Sequence, residues 1–351
     1  MRESGEQRHN LSEIIPQANI SRGLYQVNIP ELGQVERGKV RDNYVVTSKS
    51  TEIPNRVIVT TDRTSAFDRV ICTIPGKGQI LNLLSTWWFE QVKDIIPNHM
   101  RSVDGAPAIP HPNVAITHQA EKTLPVEMVV RGYMAKSSTS TSLYKNYMDG
   151  QRDIYGHSFP DGLVANQKLP TGAVVTPTTK AEQGMHDEML TREQAKALVD
   201  SELGEGMWDK AEQLSLELFE RQARIAEEKG LILADTKYEM GIVDGQLILI
   251  DEVGTPDSSR FWLLSTYDDR MKEGKTPDGF DKEILRRWLA DQGFTGNEPI
   301  PEVPQEVIDA MAQAYKVPFE MLTGTTLPES DATSSTVQEA TADYLTEHGV
   351  L

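Results

Sequence analysis

The strongest chemical signal in this sequence is a pair of acids, Glu239 and Asp251, on two apolar arms that meet at Asp244-Gly245. An Asp-Gly pair between two apolar runs predicts a β-hairpin. We predict a three-residue loop over residues 243–245, because that register places both acids on one face of the hairpin. The other face then collects four apolar side chains: Met240, Ile242, Ile248 and Ile250.

In this register Glu239 lies opposite Leu249, and Asp251 is its diagonal neighbour, roughly 7–8 Å away at the backbone. A two-residue turn would instead place the two acids on opposite faces. Two carboxylates at this separation suit Mg²⁺, which keeps several waters and takes other oxygens from phosphate. Two solvated strand acids are the alternative, but Lys237 on the same face and the polar loop after Asp251 favour a site.

Basic residues cluster where other strands begin or end. The segment 38–42 (GKVRD) places Lys39 and Arg41 at the start of a predicted strand, where backbone N–H groups and bases can bind polyphosphate. Its spacing is that of neither a P-loop nor a kinase glycine-rich loop. Arg131 follows an apolar strand and precedes Ser137, a combination that can recognise phosphate or carboxylate.

Further polar segments follow other predicted strands. TDRTSAFD (residues 61–68) comes directly after a strand, and Gly76-Lys77-Gly78 opens a helix whose N-terminus could bind an anion. Thr178-Thr179-Lys180 and His186-Asp187 add polar density to a long irregular stretch. Each segment taken singly is explained as well by a charged turn or a helix cap.

Composition narrows the class of protein. The 351 residues carry 35 Lys and Arg against 53 Asp and Glu, and a net charge of −18 argues against binding to nucleic acid or anionic membranes. This length favours two lobes with a cleft between them. Cys72, the only cysteine, lies in an apolar run and predicts a packed thiol in a reducing compartment. We expect a cytoplasmic protein, because no segment has the pattern of a signal peptide or a membrane span.

Strands and helices do not alternate regularly, which predicts an α+β fold rather than a doubly wound sheet. We expect an N-terminal arm over residues 1–20, a first α+β lobe over 21–123 and a second over 124–270. C-terminal helices over 271–324 and an acidic tail over 325–351 follow. The Ser, Thr, Asp and Glu content of the tail predicts an appended disordered segment with a short amphipathic helix at most.

Periodicity and turn residues also predict individual elements. The predicted strands lie at residues 38–46, 56–61 and 124–133. The predicted helices lie at residues 81–96, 191–203, 207–229, 281–291 and 305–322.

Seven motifs, taken in order, resemble those of the SAICAR synthases, the phosphoribosylaminoimidazole-succinocarboxamide synthases of purine biosynthesis. They are GKVRDNY, TDRTSAFD, IPGKGQILNLLS, VEMVVRGY, TPTTKAEQGMHDE, LADTKYEMG and DEVGTPDSSRFW. The resemblance covers about residues 25 to 324 and departs at Thr64 and Met185, where many relatives have Ile and Glu. It implies a two-lobed fold with an ATP cleft between the lobes and helices at the C-terminal end.

The resemblance also implies a reaction and its ligands. ATP and Mg²⁺ would activate the carboxylate of the aminoimidazole ribotide CAIR, and L-aspartate would displace phosphate to give SAICAR, ADP and phosphate. The adenine would lie against the backbone of the strand that joins the lobes, around Glu127 and Met128. The implied oligomeric state is left open.

The resemblance assigns residues to three groups. The implied ATP-binding residues are Gly38, Lys39, Val40, Arg41, Asp42, Glu127, Met128 and Lys237. The implied metal ligands are Glu239 and Asp251. The implied substrate-binding residues are Asp62, Arg63, Ser65, Asp68, Lys77, Asn82, Ser85, Arg131, Ser137, Asp257, Arg260 and Arg286.

Two other functions stay open. Another ATP-dependent carboxylate–amine ligase or phosphotransferase on the same scaffold would differ in whether Arg131, Ser137 and Arg260 bind a ribose phosphate. A nucleotide-binding interaction protein without catalysis is the second alternative. Intact acids at Glu239 and Asp251 argue against it, since a site that had lost catalysis would be expected to lose its metal ligands first.

Overall fold

The computed structural model describes residues 15–47, 54–67, 69–137, 139–180, 187–280 and 283–349. The helices are α1 Gln17–Ile20, α2 Lys77–Val92, α3 Leu143–Met148, α4 Arg192–Leu203, α5 Met207–Glu228, α6 Leu264–Lys272, α7 Glu283–Asp291, α8 Gln305–Thr323 and α9 Ser334–Glu347, with one 3-10 turn at Pro30–Leu32. The strands are β1 Glu36–Arg37, β2 Arg41–Val46, β3 Asn55–Thr60, β4 Arg63–Ala66, β5 Arg69–Thr73, β6 Ser102–Val103, β7 Ala106–Pro107, β8 Val114–His118, β9 Lys122–Thr123, β10 Val126–Arg131, β11 Asp153–Ile154, β12 His157–Ser158, β13 Val174–Val175, β14 Thr178–Thr179, β15 Leu231–Val243, β16 Gln246–Ile250, β17 Ser259–Leu263 and β18 Gly279–Phe280.

Two separate sheets organise the described chain, which is the mixed α+β arrangement that the sequence predicts. In the N-terminal half, an antiparallel sheet runs in the order β1-β2-β3-β8. In the C-terminal half, a larger sheet runs β13-β10-β15-β17-β18, with β14 paired to β10, and β9 and β16 paired to β15. The chain crosses between the sheets at residues 119–121, because β8 belongs to the first sheet and β9 to the second.

The long strand β15 carries the second sheet. It pairs with β10 on one edge and β17 on the other, and its far end forms the hairpin with β16. Helix α5 packs on β15 through an amphipathic face that buries Trp208, Leu218 and Phe219. The strand therefore reaches from the helical core to the cleft, and its middle part carries Lys237 and Glu239, which line the cleft.

The hairpin has a two-residue turn, so the predicted three-residue loop is wrong. Val243 pairs with Gln246, and Glu239 pairs with Ile250 instead of Leu249. The backbone φ angles of Asp244 and Gly245 are 49° and 71°, as a type I′ turn requires. Asp-Gly adopts this turn readily, and its twist matches that of the strands, so no extra loop residue is needed.

The apolar pattern was ambiguous because both faces of the hairpin are covered. Met240 and Leu249 share one buried face. Ile248 and Ile250, which the sequence predicted on that face, pack instead with Val243 on the face of Glu239. When both faces exclude water, periodicity does not distinguish the two registers.

The C-terminal segment differs from the predicted disordered tail. Helix α9 begins with a capping box at Thr333, and Val337 and Leu345 are fully buried in the apolar core of the first sheet. The few apolar residues of this segment recur at helical spacing. Because polar residues outnumber them, composition alone did not reveal the helix. The predicted loose arm also differs at its end, where Asn19 of α1 is buried and donates to the carbonyls of Ile71 and Pro301.

The other predicted elements lie close to observed ones. Helices α4, α5, α7 and α8 begin and end within about two residues of their predicted ends. Helix α2 begins at Lys77, four residues before its predicted start. Strand β17 and helix α6 were not predicted. Within the described ranges, no helix is long and apolar enough to cross a membrane.

Candidate active site

A cleft of about 460 Å³ lies between the two sheets. One wall is residues 38–41 with part of β3, and the opposite wall is Lys237, Glu239 and residues 250–252. Residues 118–120 and Thr123, where the chain crosses between the sheets, line the cleft as well. The cleft therefore joins both halves of the chain around the hairpin acids.

The two acids converge, although not through the predicted register. Strand β16 ends at Ile250, and Asp251 has a φ of 62°, in the left-handed region. This turn of the backbone brings the Asp251 side chain back toward Glu239. Lys237 joins them, with its Nζ 2.5 Å from Glu239 Oε1 and 3.5 Å from Asp251 Oδ2.

Further cations complete the cluster. Arg41 Nη1 lies 3.0 Å from Asp251 Oδ1, and its Nη2 lies 2.9 Å from Glu252 Oε2. Lys180 Nζ lies 2.8 Å from Glu239 Oε2. Lys180 and Glu252 are not among the predicted site residues. Their signals were a base directly after the short strand β14 and an acid adjacent to Asp251.

These contacts keep the cluster ionised. Burial alone would raise the pKa of Asp251, but Arg41, Lys237 and Lys180 outweigh it and lower that pKa to about 2. Burial opposes the charge of Lys237 too, yet the surrounding acids hold its pKa well above the ordinary value. Burial raises the pKa of Glu127, which accepts from Lys237 at 3.2 Å. The wall therefore presents the Lys237 ammonium and the Asp251 carboxylate together in their charged forms.

Hydrogen bonds from Arg63 hold the segment 38–42 in place. Its guanidinium donates to the carbonyls of Gly38 and Lys39 and pairs with Asp42 Oδ1 at 2.8 Å. The other oxygen of Asp42 accepts from Val27 N at 2.9 Å. Arg63 and Asp42 thus hold the segment in place, whereas Gly38, Lys39, Val40 and Arg41 line the cleft.

The predicted adenine contact at Glu127 and Met128 does not match the geometry. The Met128 side chain is fully buried, and β10 is paired on both edges, with Glu127 opposite Thr178 and Met128 opposite Tyr238. Their backbone is therefore engaged in the sheet. The backbone at the cleft belongs to residues 118–123, about four residues earlier, because the lobes join before β10 rather than along it.

A second cationic group surrounds Asp235. Arg131 Nη1 and Arg260 Nη1 each lie 3.8 Å from Asp235 Oδ2, an oxygen without a hydrogen bond among the described atoms. Arg260 also donates to the carbonyl of Lys136, the residue before Ser137. The structure thus brings Arg131 and Arg260 together at Asp235, whereas the Ser137 hydroxyl contacts Thr139 and the grouping of Ser137 with the two arginines stays a prediction.

Several predicted substrate residues, Lys77, Ser85 and Asp257, brace the loop 251–257, and their substrate contacts stay predictions. Lys77 is fully buried and lies 2.8 Å from Asp257 Oδ2, whose other oxygen accepts from the Tyr315 hydroxyl at 2.7 Å. Ser85 Oγ accepts from Val253 N at 3.1 Å, and Trp88 Nε1 donates to the Gly254 carbonyl at 3.0 Å. Helix α2 and helix α8 therefore hold the loop that begins with Asp251.

The remaining predicted substrate residues occupy varied positions. Asp62 is buried, and its oxygens accept from the backbone N–H groups of Leu24 and Gly78, so it ties chain segments together. Asn82 donates to the Pro112 carbonyl at 3.0 Å. Ser65 is half-buried on β4, and Arg286 pairs with Glu283 on α7. Asp68 lies outside the described residues, and the substrate contacts predicted for all of these remain predictions.

His99 is a buried residue of the site that sequence analysis missed. It lies beside the cleft, and its ring is tilted against that of Phe89 with 5.3 Å between the ring centroids. Burial, with the nearby Arg41 charge, lowers its pKa to about 3, so the ring is neutral near pH 7. A lone histidine after Pro97-Asn98 carries no periodic signal that could have predicted this.

The donor set fits a magnesium ion whose coordination the protein completes only in part. Glu239 and Asp251 offer carboxylate oxygens on the cleft wall. In the described part of the chain, no group of three or more His, Cys, Asp or Glu is placed to hold a metal. Two carboxylates, with phosphate oxygens and water filling the other positions, match the way Mg²⁺ binds in nucleotide sites.

Comparison with known proteins supplies the family. The SAICAR synthetase family model matches residues 34–302. A putative phosphoribosylaminoimidazole-succinocarboxamide synthase 2 of Mesorhizobium japonicum is 43% identical over 304 residues, covering 86% of this chain and 92% of that protein. A phosphoribosylaminoimidazole-succinocarboxamide synthase of Legionella pneumophila is 43% identical over 303 residues, covering 86% and 91%.

Solved structures agree with the sequence matches. The SAICAR synthase of Saccharomyces cerevisiae, complexed with SAICAR, superposes with a TM-score of 0.72 at 31% identity, covering 87% of this chain and 99% of that one. The motifs, the extent of the match and the superposition give the same answer: this chain belongs to the SAICAR synthetase family.

Proposed function

We propose that the chain is an ATP- and Mg²⁺-dependent ligase that joins L-aspartate to the carboxylate of CAIR, giving SAICAR, ADP and phosphate. The names of its relatives and the SAICAR complex of the yeast protein support this reaction. The structural observation that carries it is the convergence of Arg41, Lys180 and Lys237 on Glu239 and Asp251 in one cleft. A cytoplasmic location is part of the proposal, and the single buried thiol of Cys72 suits it.

The triphosphate of ATP would lie between residues 38–41 and the hairpin. Lys237 and Lys180 are placed to exchange their carboxylate partners for phosphate oxygens, which they bind as charged ammonium groups. Glu239 and Asp251 would hold Mg²⁺, which supplies charge neutralisation at the transferring phosphate. The adenine would lie toward residues 118–123, at the crossing between the sheets.

The ribotide would bind beside the second cationic group. Arg131 and Arg260 already face one carboxylate, and a phosphate presents more oxygens and more charge to the same guanidinium groups. Ser137 adds a hydroxyl next to the Lys136 carbonyl that Arg260 contacts. The proposal therefore assigns the ribose phosphate to Arg131, Ser137 and Arg260, with Asp235 keeping the two arginines together.

The chemistry requires activation, because a carboxylate is a poor acceptor of an amine. A carboxylate oxygen of CAIR forms a bond to the γ-phosphorus of ATP, and the bond to the ADP oxygen breaks. The aspartate nitrogen then bonds to the acyl carbon, phosphate departs with the electron pair of the C–O bond, and the nitrogen loses a proton. The cations of the wall offset the negative charge that gathers, and the cleft limits hydrolysis by water.

The direct test is ADP release by the purified protein with ATP, Mg²⁺, CAIR and L-aspartate, omitting one component at a time. We expect release to require all four. Asp251→Asn should lower turnover by about 100-fold or more, because the metal contributes several kcal/mol of stabilisation to the transition state. ADP release that is indifferent to aspartate would contradict the proposed reaction and favour a phosphotransferase or an ATPase.

A further inference from the structure

We propose that Lys180 makes metal binding at Glu239 and Asp251 depend on a nucleotide. Its ammonium group lies on a carboxylate oxygen that a metal ion would use, and it leaves that oxygen for a phosphate group. The inference rests on the metal site that the proposed function assigns to the two acids. It adds a regulation of that site by a residue outside the predicted set.

Every carboxylate oxygen of the two acids faces a cation of the chain. Lys180 Nζ lies 2.8 Å from Glu239 Oε2, and Lys237 Nζ lies 2.5 Å from Glu239 Oε1. Arg41 Nη1 lies 3.0 Å from Asp251 Oδ1, and Lys237 Nζ lies 3.5 Å from Asp251 Oδ2. Carboxylates bind Mg²⁺ through these same oxygens. The three cations therefore compete with a metal ion for one set of ligand atoms.

The competition matters because the cluster is largely shielded from water. The side chains of the two acids and the three cations are only 19–26% exposed. A charge that loses its partner in such surroundings costs more than one at a free surface. If Mg²⁺ alone took the acids, the cations would receive no partner in exchange. A nucleotide phosphate supplies that partner, since ammonium groups bind phosphate oxygens through charge-assisted hydrogen bonds.

Lys180 differs from the other two cations in its choice of acids. Each of the others has a further carboxylate oxygen within 3.2 Å: Glu252 Oε2 for Arg41 and Glu127 Oε1 for Lys237. Within the described ranges, Glu239 is the one acid that pairs with Lys180. Lys180 therefore stays on Glu239 until a phosphate is present, whereas the other two cations keep an acid when a metal ion takes the site.

This arrangement predicts opposite effects of Lys180 on the two ligands. Without its ammonium group, Glu239 Oε2 is open to a metal ion, so the metal alone should bind more tightly. The same change removes a contact to phosphate, so a nucleotide alone should bind more weakly. A residue that only supports the fold would weaken both interactions when replaced.

The test measures Mn²⁺ binding without nucleotide and ADP binding without metal, in wild type and in Lys180→Met. Electron paramagnetic resonance reports free Mn²⁺, and calorimetric titration in the presence of EDTA reports ADP binding. We expect Lys180→Met to bind Mn²⁺ about tenfold more tightly and ADP about tenfold more weakly, each equivalent to about 1.4 kcal/mol. Lys180→Gln removes the same charge and should behave alike, so it takes the place of Lys180→Met if that protein does not fold.

Lys196→Met is the matched control. Lys196 also forms an ion pair, with its Nζ 3.2 Å from Asp200 Oδ2 on helix α4, and it does not line the cleft. The variant loses the same charge without touching either metal ligand, so both affinities should change by less than about twofold. A tenfold gain in Mn²⁺ affinity in Lys196→Met would show a general effect of charge and overturn the specific role of Lys180.

Glu239→Gln separates a failure of this proposal from a failure of the metal site. If Glu239→Gln binds Mn²⁺ as wild type does, the metal site assigned under the proposed function is wrong. If Glu239→Gln weakens Mn²⁺ binding while Lys180→Met binds Mn²⁺ no more tightly than wild type, the metal site stands and the role of Lys180 is wrong. Unchanged ADP affinity in Lys180→Met also overturns that role, because the ammonium group then has no phosphate partner.

Discussion

At the scale of the residue, the candidate site consists of charged side chains that pair across the cleft and of one aspartate in the left-handed conformation. Glu239, Asp251 and Lys237 were identifiable because charged residues next to a buried strand are conspicuous. The φ of Asp251 could not be predicted, since no local sequence pattern marks a left-handed aspartate. His99 was missed for a related reason: its backbone N–H bonds the carbonyl of Leu249, which lies about 150 residues away along the chain.

The burial of Cys72 was predicted correctly from the sequence. The thiol is fully buried, as its apolar neighbours predicted, and burial raises its pKa to about 12 from an ordinary 9.0. The unfolded chain therefore loses this proton at lower pH than the folded protein. The contribution to stability is complete below about pH 9 and decreases as the pH rises toward 12.

We therefore expect Cys72→Ala to flatten the decrease in the free energy of unfolding between pH 9 and 10.5. The slope from one such proton approaches about 1.4 kcal/mol per pH unit. Urea unfolding of both proteins across this range measures it. In addition, a disulfide reagent at pH 8 should label the thiol in denaturant and leave the native protein unlabelled. Rapid labelling of the native protein would contradict the packed position.

At the scale of the element, long periodic helices and apolar strands were predicted well. Helices α5 and α8 and strand β10 lie where their apolar residues indicated. The hairpin register was wrong because apolar residues on both faces satisfied either alignment. Strand β17 was missed because its residues, Ser259 to Leu263, follow a loop dominated by polar signals. The bracing of the loop 251–257 by α2 and α8 depends on packing that the sequence does not display.

Gly254 lies in the loop 251–257 at a position that has no room for a side chain. Its φ is 64°, and a Cβ there would lie 2.4 Å from the Trp88 indole and 2.6 Å from Gln222 Nε2. We predict that Gly254→Ala destabilises the protein by about 2–5 kcal/mol, from backbone strain together with overpacking. The matched control is Gly293→Ala, at a φ of 76° in open space, which should cost only about 1–2 kcal/mol.

Urea unfolding measures both variants, and the ATP dependence of turnover measures the site. Because the loop begins at Asp251, Gly254→Ala should also lower turnover, whereas Gly293→Ala should not. Equal losses of stability in the two variants would show that the Trp88 contact is relieved by movement of the ring.

At the scale of the whole molecule, the C-terminal segment closes over the first lobe. Gln79 donates to the Pro328 carbonyl at 3.2 Å, His111 lies 3.3 Å from Asp331, and α9 buries Val337 and Leu345 in the first core. The two-lobed plan followed from length and from the family motifs. The docking of α9 could not be predicted in the same way, because the tail lies beyond the matched motifs and its apolar residues are few.

We predict that ending the chain after Gly324 destabilises the protein by about 3–6 kcal/mol, since two buried apolar side chains each contribute about 1.5–3 kcal/mol. The single substitution Leu345→Ala should cost about 2–5 kcal/mol. Val164→Ala, at a position 55% exposed, is the control and should change stability by less than about 0.5 kcal/mol. Thermal and urea unfolding measure all three, and an unchanged transition in the shortened chain would show that α9 does not dock in solution.

The position of α9 also constrains how the protein is made. The first sheet is complete at β8, but Leu345, which finishes its core, leaves the ribosome about 230 residues later. At roughly 5–20 residues per second, the earliest part of the chain waits on the order of 10–50 seconds for its last helix. During that interval the pocket for Val337 and Leu345 is uncovered apolar surface, so the nascent first lobe should be a target for chaperones until synthesis ends.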